Sequence, residues 1–409
     1  MVTRETVLYH LQHLRQVVFE VTDLCNLNCR YCGLSQLYEG HDERNGRNLS
    51  FKKARLIIDY LFSLRDQSPG VNYPLVFSFY GGEPLLNMKL IKQIINYIDN
   101  SHFPKVTFGM TTNAMLLDKH MDFLVEKKFQ LVISLDGDEA SQSYRVDHAG
   151  KNSFQRVFRN VKSLQEKYPD YFPNFVLFNS VLHNRNNVES TYRFIKGHFD
   201  KIPLIAPLNA VGVREDKIQE FKRMYQNPHE SILQSGNCEA IEAEMFVHTP
   251  RILNLTHYIF RHSGNTFSDF NDLIFDTSGM SSKQTGTCSP FAKKMFVTVN
   301  GKILQCERIG HHFALGEILD DRVELNIENI VSKQNQYLSK CSEQCNRCYL
   351  KEECPQCVYN IDGISKEDSK CANFCNKDKY ERDKEMTTDY LRDHPHYYKK
   401  MLKEVTVKY

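Results

Sequence analysis

The feature that most restricts the fold of this chain is an alternation. Between residues 17 and 211, short apolar runs and amphipathic runs follow one another six times. VVFEVT (17–22) reads as a strand. FKKARLIIDYLFSLR (51–65) repeats apolar residues at helical spacing, and LVFSFYGG (75–82) is a buried strand ending in glycines. MKLIKQIINYIDN (88–100) is helical, KVTFGMTTN (105–113) a strand, KHMDFLVEKK (119–128) a helix and QLVISLDGD (130–138) a strand. FQRVFRNVKSLQEKY (154–168), NFVLFNSVLHN (174–184), VESTYRFIKGHF (188–199) and IPLIAPLNAV (202–211) continue as helix, strand, helix and strand. Strands separated by helical crossovers predict a parallel sheet. Six units fall short of the eight of a closed barrel, so the expected fold is α/β, a partial (β/α)6 TIM barrel over residues 1–211. The strands end in Thr22-Asp23, Gly81-Gly82-Glu83, Thr112-Asn113, Asp136-Gly137 and Asn179-Ser180. In such barrels the active site lies at that rim.

The rest of the chain divides by composition. Residues 212–287 are polar, carry Ser263-Gly264 and Ser278-Gly279, and read as a mostly helical bridge. Residues 288–375 are rich in cysteine, and 376–409 form a charged, helix-prone tail expected on the surface. Overall the chain is 41% hydrophobic and 25% charged, which excludes a disordered polymer. Its 52 basic and 50 acidic residues leave a net charge of +2, which gives no reason to expect nucleic acid or an anionic membrane as partner. No apolar run reaches the ~18 residues of a membrane span. The N-terminus lacks the apolar core of a secretory signal, so a cytoplasmic location is expected.

The 13 cysteines are unevenly placed. Cys25, Cys29 and Cys32 form C-x3-C-x2-C directly after the first strand, Cys238 stands alone, and nine fall between Cys288 and Cys375. A disulfide scaffold would be short and secreted, so thiols clustered in a long chain point to metal or cluster ligation. Three thiolates on one tight loop suit three irons of a [4Fe–4S] cube and leave the fourth iron free for a small ligand. Zinc is the alternative; it would want a fourth ligand nearby, and His41 is poorly spaced for that. Further on, Cys288, Gly301 and Cys306 read C-x12-G-x4-C around a hairpin (295–306) with Asn300-Gly301 at its turn. Cys345, Cys348, Cys354 and Cys357 then read C-x2-C-x5-C-x2-C, preceded by Cys341 and followed by Cys371 and Cys375. Zinc ribbons are the competing reading of these pairs. Cys238 reads as a small buried hydrophobe.

The first motif, with Tyr31 before its last cysteine, resembles the signature of the radical S-adenosylmethionine superfamily. YGGEPLL (80–86), TTN (111–113) and SLDG (134–137) resemble the turns that follow in that family. The resemblance implies that the open iron chelates S-adenosylmethionine and that reduction releases a 5′-deoxyadenosyl radical, which takes a hydrogen atom from substrate. It further implies that Gly81 and Gly82 let the backbone approach the methionine moiety and that Glu83 meets its ammonium. Ser134 and Asp136 would contact the ribose or methionine end, Arg145 the cofactor carboxylate, Asn179 and Val181 the ribose and adenine, and Tyr31 the adenine. The plain alternatives are turn residues for the glycines and Asp136, a surface arginine and a core aromatic.

The second region is similar to the SPASM extension, which carries two auxiliary [4Fe–4S] clusters, three clusters in all. The resemblance assigns Cys288, Cys306 and Cys357 to one and Cys345, Cys348, Cys354 and Cys371 to the other. Cys341 and Cys375 are candidates for a missing ligand or a replacement for Cys371. The pattern departs from the family at its end, where two residues rather than three separate Cys354 from Cys357. The implied substrate is a peptide or protein, with a reducing donor such as flavodoxin or ferredoxin. A ribosomal-peptide maturase forming a thioether or carbon–carbon crosslink is the first expectation. The second is an anaerobic sulfatase-maturating enzyme making formylglycine from Cys or Ser, which the mere sixteen residues before the first strand favour. A non-catalytic peptide-binding or electron-transfer protein is the reading from another class; the intact C-x3-C-x2-C and GGEP argue against it. No general base is marked by the sequence.

Overall fold

The computed structural model describes residues 1–68, 70–71, 73–101, 105–249, 251–252, 255–256, 258–259, 285–351, 354–366 and 369–404. Ser263-Gly264 and Ser278-Gly279 of the expected bridge lie outside them. The chain forms two compact units. One comprises Val2–Ser231 and Cys288–Ser332; the other comprises Ile232–Thr287 and Lys333–Tyr409, with Met1.

The first unit is built on strands β1 (Gln16–Thr22), β2 (Leu75–Gly81), β3 (Val106–Thr112), β4 (Gln130–Ser134), β5 (Val176–Leu182) and β6 (Leu204–Pro207), each parallel to the next. The crossovers run through α2 (Phe51–Asp66), α3 (Met88–Asp99), α4 (Leu117–Glu126), α5 (Phe154–Lys167) with the single turn α6 (Phe172–Phe175), and α7 (Val188–Phe199); α1 (Arg4–Gln12) precedes β1. Side chains alternate across the sheet. Val17, Phe19 and Val21 of β1 and Leu75, Phe77 and Phe79 of β2 are buried in one core with Ile57, Ile58 and Leu61 of α2 and Ile91, Ile94 and Ile95 of α3. Phe77 stacks 6.3 Å from Phe19 and takes the edge of Phe62 at 6.1 Å. Each such side chain contributes roughly 1.5–3 kcal/mol by leaving water. The helices start where polar caps allow. Ser50 accepts from Lys53 N at 3.2 Å, and Asn187 and Ser190 form a reciprocal capping box at α7.

The hairpin expected at 295–306 is present as β7 (Met295–Val297) and β8 (Lys302–Leu304), with Val297 opposite Ile303. Gly301 N donates to Thr298 O at 2.9 Å, and its φ of +90° is the left-handed turn that favours glycine. Beyond expectation, the hairpin joins the main sheet. β7 runs parallel to β1, Val17 beside Met295, and β9 (Gly316–Ile318) and β10 (Val323–Glu324) continue the sheet antiparallel. Among the described residues the sheet reads β10-β9-β8-β7-β1-β2-β3-β4-β5-β6.

The second unit includes the helices Cys238–Met245, Lys377–Asp393 and Pro395–Glu404. The expected surface tail is helical, but its last helix is half of a small core: Tyr397 and Met401 are buried with Phe246, Ile252, Leu255 and Ile259. Apolar residues at 397 and 401, one turn apart, present a stripe the charge content had masked. Among the described residues no helix is long and apolar enough to cross a membrane.

Candidate active site

Three thiols follow β1 on a loop pinned from both sides. Asn28 N donates to Val146 O at 2.7 Å, Arg30 N to Tyr144 O at 3.3 Å, and the His148 ring to Cys25 O at 2.8 Å. Just past the end of β3, Asn113 Nδ2 reaches Asn26 Oδ1 at 2.8 Å and the Cys25 sulfur at 3.7 Å. The thiols are close enough to feel one another: Cys29 lies in the field of both Cys25 and Cys32. Burial first, then the charges of Glu83 and Cys32, pushes Cys25 up to about 11; burial first, then the neighbouring thiols Cys32 and Cys25, pushes Cys29 up to about 12. Thiols held in this way ionise when a cation or cluster takes their charge.

The end of β2 is moulded to the root of that loop. Gly81 has φ +137°, and a Cβ there would meet Thr22 O at 2.2 Å. A Cβ on Gly82 would meet Leu24 O at 2.0 Å. The two backbones are joined by Gly82 N to Thr22 O at 2.9 Å and Glu83 N to Leu24 O at 2.8 Å. These glycines therefore seat the chain's own strand end, a role the motif did not reveal. Glu83 is buried and accepts from Thr112 Oγ1 at 2.6 Å, Asn113 N at 2.7 Å and Leu85 N at 3.1 Å. Burial pushes its carboxyl up to about 7 despite those donors. With three of about four lone-pair positions filled, a cationic group could still be received.

A second polar group closes the site between β4 and β5. Arg145 grips Asp136 through Nε to Oδ2 at 2.9 Å and Nη2 to Oδ1 at 3.0 Å. The Tyr31 hydroxyl donates to Oδ2, and Val181 N donates to Oδ1 at 2.9 Å. Burial would raise the Asp136 carboxyl, but Arg145 and the surrounding donors outweigh it and hold it at about 2. The carboxylate expected at a ribose is thus occupied by the chain itself, and the arginine expected at a cofactor carboxylate has two of its nitrogens committed. Ser134 ends β4 opposite Asn179 in register. His183, which the sequence reading missed, is wholly buried and stacks 5.4 Å from Tyr31. Asn113 was also missed; the TTN strand end was its signal. His41 lies with its ring edge to His311 at 5.1 Å.

The remaining cysteines form two sets. Cys288 and Cys306 flank the hairpin in the first unit. Burial pushes Cys306 up to about 11, its sulfur lies 3.7 Å from Glu307 Oε2, and Glu307 pairs with Lys294 at 3.0 Å. In the second unit, Cys345 is pushed up to about 11, first by burial and then by the thiols of Cys341, Cys354, Cys371 and Cys348. Gln344 clamps the Cys371 backbone through two 3.0 Å hydrogen bonds, and Cys375 N donates to the Cys348 sulfur at 3.4 Å. Cys357, also in this unit, follows Gln356, whose Nε2 donates to Cys357 O at 2.9 Å. Cys238 is half-buried rather than buried, at the first turn of its helix.

A single zinc would draw its thiolates to about 2.3 Å from one point. Among the described residues no three Cys, His, Asp or Glu side chains converge on one ion. Three thiols on one loop suit a multi-iron cluster, with a separate iron for each thiolate. Residues 19–196 match the radical SAM superfamily. This stretch of the chain is a radical SAM domain. Its superfamily is one of enzymes that use a [4Fe–4S] cluster and S-adenosylmethionine. The chain is 24% identical over 177 residues to the radical SAM cyclopropyl synthase TigE of Paramaledivibacter caminithermalis, covering 42% of this chain and 36% of that protein. It is 25% identical over 211 residues to the cysteine-type anaerobic sulfatase-maturating enzyme of Clostridium novyi, 49% of this chain and 53% of that one. The chain thus spans about half or less of the length of the curated relatives it matches. Among solved structures it is similar to native anSMEcpe with bound AdoMet and Cp18Cys peptide, at 17% identity and a TM-score of 0.58 over 95% of this chain and 99% of that one. That likeness shows a shared fold, and the cysteine-rich C-terminal region fits a SPASM domain.

Proposed function

We propose that this radical SAM protein is a peptide maturase in which Cys25, Cys29 and Cys32 hold a [4Fe–4S] cluster whose open iron binds S-adenosylmethionine. The observation that carries the reading is the trio of half-buried thiols at the barrel rim, between the Glu83 carboxylate and the Asp136–Arg145 pair. When bound, the cluster and S-adenosylmethionine supply reductive bond cleavage and a 5′-deoxyadenosyl radical that abstracts hydrogen from the peptide. The chain's own residues orient and enclose. Glu83 offers a carboxylate to the ammonium of the ligand, Ser134, Asn179 and Val181 line the β4–β5 side toward its ribose and adenine, and Tyr31 packs beside the cluster loop. Burial of Glu83 and Asp136 keeps water from that side of the reacting centre.

In the second unit, Cys345, Cys348, Cys354 and Cys371 are proposed to hold an auxiliary cluster, with Cys341 and Cys375 at hand as further ligands. Cys288 and Cys306 remain proposed cluster ligands in the first unit, and Cys357 in the second. The likeness to TigE, a cyclopropyl synthase, supports a carbon–carbon bond-forming modification of a peptide. The likeness to sulfatase-maturating enzymes supports the second reading, formylglycine formation. A reducing partner such as flavodoxin or ferredoxin completes either reaction. Co-expression with a candidate peptide or sulfatase, followed by mass spectrometry, separates them: a mass loss with a new linkage supports the crosslink, and conversion of Cys or Ser to an aldehyde supports the alternative. Intact peptide in both cases, with S-adenosylmethionine still consumed, counts against a peptide substrate.

A further inference from the structure

The Asp136 carboxylate is full. It accepts from the Tyr31 hydroxyl, from Arg145 Nε and Nη2 and from Val181 N, four donors for its roughly four lone-pair positions. A fifth donor stands behind them. His183 is fully buried, and its Nδ1 accepts from Arg185 N at 3.2 Å, which leaves the proton of the neutral ring on Nε2. That Nε2 lies 3.6 Å from Asp136 Oδ2, beyond hydrogen-bond length, and has no hydrogen-bond partner among the described residues. The ring packs against Tyr31, stacked at 5.4 Å, and Tyr144, edge-on at 4.9 Å. A buried N–H without an acceptor is costly and rare, and calls for an explanation.

We propose that His183 is a positioning residue, a spare donor that takes over on Asp136 Oδ2 when Arg145 turns its guanidinium to the carboxylate of bound S-adenosylmethionine. This rests on the function proposed above. Closing the gap to about 2.9 Å takes ~0.7 Å of travel. Asp136 then keeps three donors, Tyr31, Val181 N and His183. Tyr31, which is joined to the cluster loop between Cys29 and Cys32, is not released. No covalent bond changes and no proton is transferred; His183 donates a hydrogen bond throughout. Without the spare donor, withdrawing both Arg145 contacts would leave a buried carboxylate with two donors, and ligand binding would have to offset that loss.

The test is equilibrium binding on anaerobically reconstituted holoprotein, with S-adenosylmethionine titrated against the EPR spectrum of the reduced cluster. His183→Phe keeps a ring over Tyr31 and removes the donor; affinity should fall about tenfold or more with iron content unchanged. His183→Gln, which restores an N–H, should recover much of it. In an Arg145→Lys background, where the two-nitrogen grip is already gone, His183→Phe should add little. Affinity in His183→Phe within twofold of wild type would overturn the proposal, as would the same loss in the Arg145→Lys background. If His183→Phe loses its cluster, the Gln variant decides: intact cluster with wild-type affinity supports the donor role, and intact cluster with tenfold weaker binding refutes it. Wild-type holoprotein that does not bind S-adenosylmethionine would instead overturn the function on which the inference rests.

Discussion

Removing the charge of Asp136 should unseat the site more severely than removing the whole ion pair. Asp136 and Arg145 are buried, with side chains 0% and 8% exposed. Asp136→Asn keeps the size of the side chain but leaves the guanidinium facing an amide in a site shielded from water. Breaking a buried pair from one side costs about 3–5 kcal/mol. The carboxyl itself gives a second measure. Its shift from 3.8 to about 2 is worth roughly 2–3 kcal/mol of interaction with the charged form. Because the folded value lies below the unfolded one, this stability is present above pH 3.8 and is lost as pH falls toward 2. Replacing both residues, Asp136→Asn with Arg145→Met, should be less destabilising than Asp136→Asn alone, since no charge is then stranded. The assay is thermal and urea unfolding of Asp136→Asn, Arg145→Met and the double variant beside wild type at pH 7. An Asp136→Asn loss under about 1 kcal/mol, or a double variant that equals the sum of its parts, would refute the stranded-charge argument.

Other expectations follow from the same geometry. Gly82→Ala places a methyl 2.0 Å from Leu24 O, so the strand end carrying the cysteine loop must shift; iron content after reconstitution should drop by about a third if only the first of three clusters is lost, and full loading would contradict the close approach. Glu83, held at about 7 against an ordinary 4.5, stays protonated in the folded chain where the unfolded chain has lost its proton. Stability should therefore decline by about 3 kcal/mol as pH rises from 4.5 through 7, and Glu83→Gln should flatten that decline in melting temperature; identical slopes would count against it. Cys345→Ala, which removes a thiol in the field of four others, should lower iron by about four per chain while leaving 5′-deoxyadenosine release intact, and an unchanged iron count would remove Cys345 from the ligand set.

Much of the barrel was legible because its signals are local. The first strand, expected at 17–22, is observed at Gln16–Thr22, and the helix read over 51–65 runs Phe51–Asp66. Both are set by short-range periodicity and, at Ser50, by a cap. The strand read over 130–138 stops at Ser134, because Leu135 and the residues after it turn to deliver Asp136 inward. What the sequence hid is non-local. Nothing in MFV (295–297) says that it pairs beside β1, and nothing in VLHN says that His183 ends behind Tyr31, 152 positions of chain having been folded back in between. The thiol motif was plain because three cysteines on one loop need no distant partner. The Asp136–Arg145 grip was not, because an arginine nine residues on could equally have faced solvent.

The central claim is that three loop thiols leave one iron open to S-adenosylmethionine. The direct measurement is anaerobic reduction of the reconstituted protein with S-adenosylmethionine, counting 5′-deoxyadenosine in wild type and in Cys29→Ala. The account predicts release by wild type and none by the variant. Equal release from Cys29→Ala, or none from wild type carrying its full iron, would contradict it.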